Sequence, residues 1–137
     1  MSVTQARTPA SPRVWLRRWL TLDAVVTGGN ALVYLAAAGP VGRLLGLDTG
    51  LLVGLGAFLL GYAAVVGWLA SRREPATAAV WCVIEANVAW SVASLVALAL
   101  WLDPDAPGAV WIPAQAAVVA AFAALQYRAL RATGGQR

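Results

Sequence analysis

WCVIEANVAWSVASLVALALW, the stretch from Trp81 to Trp101, decides how this chain folds. Twenty positions separate its terminal tryptophans. At about 1.5 Å per residue a helix of that length runs roughly 30 Å, the thickness of a bilayer's hydrocarbon core. Its interior nevertheless carries Glu85, Asn87, Trp90, Ser91 and Ser94, groups that acyl chains do not accommodate on an exposed face. A span holding a carboxylate and an amide needs other helices to receive them, and three further apolar runs are available.

Composition agrees. The chain has 137 residues, enough for one domain. It is 61% hydrophobic and 12% charged, with a mean hydropathy of +0.71, whereas soluble domains run near 45–50% apolar and about 25% charged. Too few polar side chains remain to coat a globule in water. The expectation is an all-α membrane protein, a bundle of four transmembrane helices in a single domain. The net charge of +4 does not point to nucleic acid, because the arginines sit at the ends of apolar runs and form no basic face. One cysteine (Cys82) and no histidine exclude a disulfide framework, a CxxC redox pair and any ordinary zinc, haem or copper site. No metal and no cofactor is expected.

Residues 1–10 are small and polar and read as a disordered tail. Ser11-Pro12 has the form of a helix start, with Ser as N-cap and Pro in the first turn. Trp15 and Trp19 are four apart, as are Arg13 and Arg17, a spacing suited to the headgroup level. The four spans are expected at about Trp19 to Ala38, Gly50 to Ala70, Ala76 to Leu102 and Ala109 to Ala129. A cleaved signal peptide is the competing reading of the first, but that run is long for a signal core and is interrupted by Asp23 and Asn30. Gly39-Pro40 should end the first helix, Arg43 to Thr49 should form a loop, and Asp48 should cap the next helix. Pro113 is expected in the first turn of the last span, where its ring is tolerated.

The arginines set the orientation. Arg7, Arg13, Arg17, Arg18, Arg72, Arg73, Arg128, Arg131 and Arg137 fall on one side and only Arg43 on the other. By the positive-inside bias both termini should be cytoplasmic, in a multi-pass protein of the cytoplasmic membrane. Tryptophans 15, 19, 68, 81, 101 and 111 land near the expected interfaces, while Trp90 sits near mid-bilayer. Small residues four apart in the second span, Gly50 with Gly54, Ala57 with Gly61 and Ala63 with Gly67, suit close helix packing, within one chain or against a second copy or a membrane partner.

A faint repeat aligns Trp19-x-x-x-Asp23-Ala24-x-Val26 with Trp81-x-x-x-Glu85-Ala86-x-Val88. It suggests two parallel helical hairpins related by an axis along the membrane normal. Helical spacing places Asp23, Thr27, Asn30 and Tyr34 on one stripe, and Asn87, Ser91 and Ser94 on another with Trp90 at its edge. Glu85 points away from Asn87. Gln115, Val119, Phe122 and Gln126 share a face of the last span.

The candidate binding residues are therefore Asp23, Asn30, Tyr62, Glu85, Asn87, Trp90 and Gln126. Each has a plainer role. Asp23 lies near a helix start, where the macrodipole favours an anion. The amides and serines serve as interhelical hydrogen bonds, and Trp90 and the tyrosines as packing. Arg17-Arg18-Trp19 leading to Asp23 and Asn30, Asn87-x-x-Trp90-x-x-x-Ser94, and Gln126 resemble small four-span membrane proteins of high-GC, actinobacterial-type bacteria, a resemblance that implies no particular activity. Small multidrug-resistance transporters are similar in size and span number, but Glu85 stands in the wrong span for their membrane carboxylate.

Three functions compete. In the first, the protein binds or carries a small amphipathic or cationic compound, with Asp23 or Glu85 as a proton-titrating group, and carriage would need a dimer. In the second, it is a non-catalytic accessory or assembly protein whose polar residues satisfy one another and leave no cavity. In the third, it is an embedded acid–base isomerase or cyclase acting on a lipid or terpenoid, which requires Asp23 and Glu85 as catalytic pair to face a common cavity.

Overall fold

The computed structural model describes residues 11–134; the tail expected at residues 1–10 lies outside them. Among the described residues there are five helices: α1 (Pro12–Ala36), α2 (Ala38–Leu45), α3 (Thr49–Ser71), α4 (Thr77–Leu100) and α5 (Ala106–Gly134). Four of them, all but α2, are long and apolar enough to cross a membrane. The chain is an all-α bundle of four spans, as its composition requires.

Local chemistry sets the helix ends. The Ser11 hydroxyl accepts from the Val14 amide at 3.3 Å, and the Asp48 carboxylate accepts from the Leu51 amide at 3.0 Å. Each satisfies one of the amides that a helix start leaves unpaired. Two local expectations change. The expected stop at Gly39-Pro40 and the first three residues of the expected loop, Arg43 to Leu45, lie in the short helix α2, and the turn itself is Gly46 to Asp48. Pro40 has no amide hydrogen and its ring would meet the carbonyl four residues back, so α1 breaks at Ala37 (φ −128°, ψ 30°). A helix restarts there with Pro40 in its first turn. Pro113 lies well inside α5, because that helix begins at Ala106; the proline leaves the Ala109 carbonyl without its usual helical partner.

α2 ends on Gly46 in the left-handed region (φ 71°). This turn is braced by the α4–α5 connection, whose Asp105 amide donates to the Leu45 carbonyl at 3.0 Å. Gly108 packs so closely beneath the same carbonyl that any β-carbon there would collide with it.

α1 packs along α3, α4 along α5, and α1 also lies against α5, whereas α3 and α4 meet at few points. The α1–α3 contact is made close by small residues: a β-carbon at Gly56 would fall 2.9 Å from the Leu35 side chain, and one at Gly28 would touch Ala63 at 3.5 Å. Ala63 and Gly67 of the small-residue pattern thus face α1, while Gly50, Gly54, Ala57 and Gly61 face outward. The core divides into two clusters. Leu16, Leu20, Val66, Leu69, Val80, Val83, Ile84, Ala123 and Leu130 fill the end where α1 begins and α5 finishes. A smaller cluster of Ala31, Tyr34, Ala38, Leu52 and Leu59 lies toward α2.

The end filled by the larger cluster is also the arginine end. Arg13, Arg17 and Arg18 open α1, Arg72 and Arg73 follow α3, and Arg128 and Arg131 close α5. Arg18 covers Trp15 at 4.9 Å, Arg72 covers Trp68 at 5.1 Å, and Arg131 lies 5.7 Å from the Tyr127 ring. Cation–aromatic pairs of this kind suit a membrane–water interface.

Candidate functional site

Between the two core clusters lies a layer of hydrogen-bonding side chains, one or more from each spanning helix. Asp23 on α1 is 1% exposed, Asn87 on α4 3% and Gln126 on α5 0%. The Asn87 and Gln126 side-chain amides each donate to the same Asp23 oxygen, Oδ2, at 2.8 Å. Thr27 donates its hydroxyl to Oδ1 at 3.0 Å. Asn87 Nδ2 also reaches Gln126 Oε1 at 3.2 Å, and the Tyr62 hydroxyl of α3 donates to Asn87 Oδ1 at 2.8 Å. Every hydrogen bond that the Asp23 carboxylate makes is one it accepts.

The arrangement explains how the bundle holds a carboxylate. A buried carboxylate needs a cation or several donors, since the apolar interior does not solvate it. The described arginines lie at the helix ends, and the single ion pair among the described residues is Arg13 with Glu74 at 3.1 Å, on the surface. Three neutral donors replace the cation. No buried side-chain nitrogen or oxygen among the described residues lacks a partner. The layer ties α1, α3, α4 and α5 into one connected clamp.

Beyond the clamp, away from the arginine end, the bundle is hollow. A cleft of about 860 Å³ is lined by all four spanning helices and α2. Its walls are almost wholly apolar, and no Asp, Glu, Lys or Arg lines it. Val25 (65% exposed) and Phe58 (60%) lie on its rim, so it opens sideways, at the level of the acyl chains. Phe58 of α3 and Trp90 of α4 stack across the bundle with ring centres 6.0 Å apart and planes 8° from parallel. Tyr62 continues the stack at 6.4 Å from Phe58.

The polar groups on the cleft wall are engaged with the protein, with one exception. Trp90 donates to Gln115 Oε1 at 3.0 Å, and the Gln115 amide donates to the Ile112 carbonyl at 3.2 Å. Trp111 donates to the Tyr34 hydroxyl at 2.8 Å. Thr27, Tyr62 and Asn87 belong to the clamp. Asn30 lines the cleft, half-buried, and its side chain makes no hydrogen bond among the described residues.

The structure therefore brings Asp23, Tyr62, Asn87 and Gln126 together in the clamp, and sets Asn30 and Trp90 on the cleft wall. It does not bring Glu85 to either. Glu85 is exposed on the outer side of α4, with Trp81 and Cys82, because two residues along a helix from Asn87 is more than half a turn. Asp23 and Glu85 share no cavity: one is sealed in the clamp and the other faces out of the bundle. The acid–base pair that an embedded isomerase or cyclase would need is not assembled. No group of three or more His, Cys, Asp or Glu among the described residues is placed to hold a metal ion.

Sequence reasoning missed Phe58, Trp111 and Gln115 as site residues. Gln115 carried a signal, its place on the Gln126 face. Trp111 was hidden among the interfacial tryptophans. Phe58 carried none, being one apolar residue in an apolar run.

Fold and site together define a multi-pass α-helical membrane protein with a polar clamp closing one end of a lateral cleft. Compared with known proteins, the chain matches no family model, no curated protein and no solved structure.

Proposed function

We propose that this protein binds a small, uncharged amphipathic molecule that enters the cleft sideways from the bilayer. The observation that carries this reading is the cleft itself. Its volume of about 860 Å³ falls in the range of sites that enclose small organic ligands, and apolar walls with a few fixed polar groups are their usual lining. A cationic ligand is disfavoured, because Asp23 lies behind Thr27 and Asn87 and offers no oxygen to the cleft. The packed cluster of Leu16, Leu20, Val66, Val80 and Leu130 beyond the clamp supports binding over carriage, since it blocks a path through one copy. An accessory protein with all polar groups satisfied and no cavity fits less well: the buried groups are satisfied, but the cleft remains.

We further place the arginine end, and with it both termini, in the cytoplasm of a cell whose cytoplasmic membrane holds the protein. Seven described arginines at that end against Arg43 at the other support this by the positive-inside bias. The cleft then lies in the outer half of the membrane.

Native mass spectrometry of the protein released from lipid nanodiscs tests the binding reading. Wild type should carry an uncharged species on the order of a few hundred daltons. Ala89→Trp, which fills the cleft from α4, should lose it. A wild type carrying only the phospholipids that the variant also carries would overturn the proposal.

A further inference from the structure

We infer that Asn30 selects the ligand, its side-chain amide pairing with a hydroxyl or carbonyl at one end of an otherwise apolar molecule. This rests on the cleft reading above and adds to it the class of ligand and the residue that reads it.

Of the polar side chains on the cleft wall, Asn30 is the one with no partner among the described residues, while Thr27, Tyr34, Tyr62, Asn87, Trp90, Trp111 and Gln115 are engaged. It lies seven residues beyond Asp23 on α1, roughly 10 Å farther from the arginine end. That position is inside the apolar layer, where bulk water does not compete for the amide. An amide there offers two donors and one acceptor oxygen, which match an alcohol or a carbonyl. The absence of any charged side chain on the wall argues for an uncharged head. Across the bundle, the stacked rings of Tyr62, Phe58 and Trp90 lie within 15° of parallel between neighbours. They give the cleft an aromatic wall that suits a hydrocarbon body.

Two probes of the same body separate the claims: 4-(1-pyrenyl)butanol, with a hydroxyl, and 1-butylpyrene, without one. Binding to the full chain in nanodiscs is read by energy transfer from the tryptophans, of which Trp90 and Trp111 line the cleft. The alcohol should bind wild type about 10-fold more tightly than the hydrocarbon, the size of one buried hydrogen bond. Asn30→Leu should bind both equally, while Asn30→Thr, which keeps a hydroxyl, should retain part of the preference. Glu85→Gln, outside the cleft, should behave as wild type. Because Asn30 bonds no other side chain, Asn30→Leu should melt at the wild-type temperature; should it fail to fold, the wild-type preference and the Asn30→Thr value still decide. Equal binding of the two probes by wild type, or an unchanged preference in Asn30→Leu, overturns the role of Asn30 and leaves the cleft reading standing. Binding of neither probe overturns both.

Discussion

Asp23 is worth more to this bundle as an acceptor than as a charge. Two amides and a hydroxyl on three helices converge on its two oxygens. Asp23→Ala removes the acceptor, strands the Gln126 donor in the core and leaves the Asn87 amide only its longer bond to Gln126 Oε1. It should cost about 2–4 kcal/mol of stability, since each orphaned buried donor keeps its desolvation penalty. Asn87→Leu should cost a similar amount by disconnecting Tyr62 and Gln126 as well as Asp23. Glu85→Gln should stay within about 0.5 kcal/mol, as exposed positions do. Thermal unfolding in one detergent, followed by circular dichroism, orders the three. An Asp23→Ala variant as stable as Glu85→Gln would show that the layer is incidental.

At the level of elements, the end opposite the arginines depends on one turn. Gly46 carries the left-handed residue between α2 and α3, and the Leu45 carbonyl beside it accepts the Asp105 amide and presses on Gly108. Gly46→Ala should destabilise by more than the roughly 1–2 kcal/mol of a β-carbon in that backbone region, because the β-carbon would also collide with the Asp105 amide nitrogen. Gly108→Ala should also cost at least about 2 kcal/mol, because its β-carbon would meet the Leu45 carbonyl, a backbone atom that no side-chain rotation moves. Asp48→Ala, which removes the cap of α3, should cost about 1 kcal/mol. Denaturant titration of the three variants gives the ranking. The spans themselves were legible from hydropathy and capping residues. α2 was not, because Gly39-Pro40 is a stop signal for the helix that precedes it and says little about a helix that restarts around it.

Seen whole, the molecule is solid at one end and hollow at the other. The faint repeat relates α1 to α4 and α3 to α5, which makes the α1–α5 and α4–α3 interfaces counterparts. The first is well packed and the second is nearly open. The acids that head the two repeats also part company, Asp23 inward and Glu85 outward. The cleft is a product of that inequality. Orientation is the prediction that belongs to this scale. In a Cys82→Ser background, Ser71→Cys at the arginine end should resist a membrane-impermeant thiol reagent applied to intact cells. Asp103→Cys at the other end should react. The reverse pattern would place the arginines outside and invert the topology.

The amino-acid sequence alone determined that this chain is a four-span helical membrane protein, because apolar length and composition leave a bundle in lipid as the one place to bury so much hydrocarbon. It also determined which polar residues share a helical face, since that depends only on the 3.6-residue period; the stripe of Asp23, Thr27 and Asn30 and the opposition of Asn87 to Glu85 follow from it. Only the tertiary structure decided that Asp23, Asn87 and Gln126, as many as 103 positions apart in the chain, meet at one oxygen. It alone decided that α3 and α4 meet at few points. Both depend on how the helices pack side by side, and four nearly uniform apolar rods carry little in their own sequences to fix that arrangement.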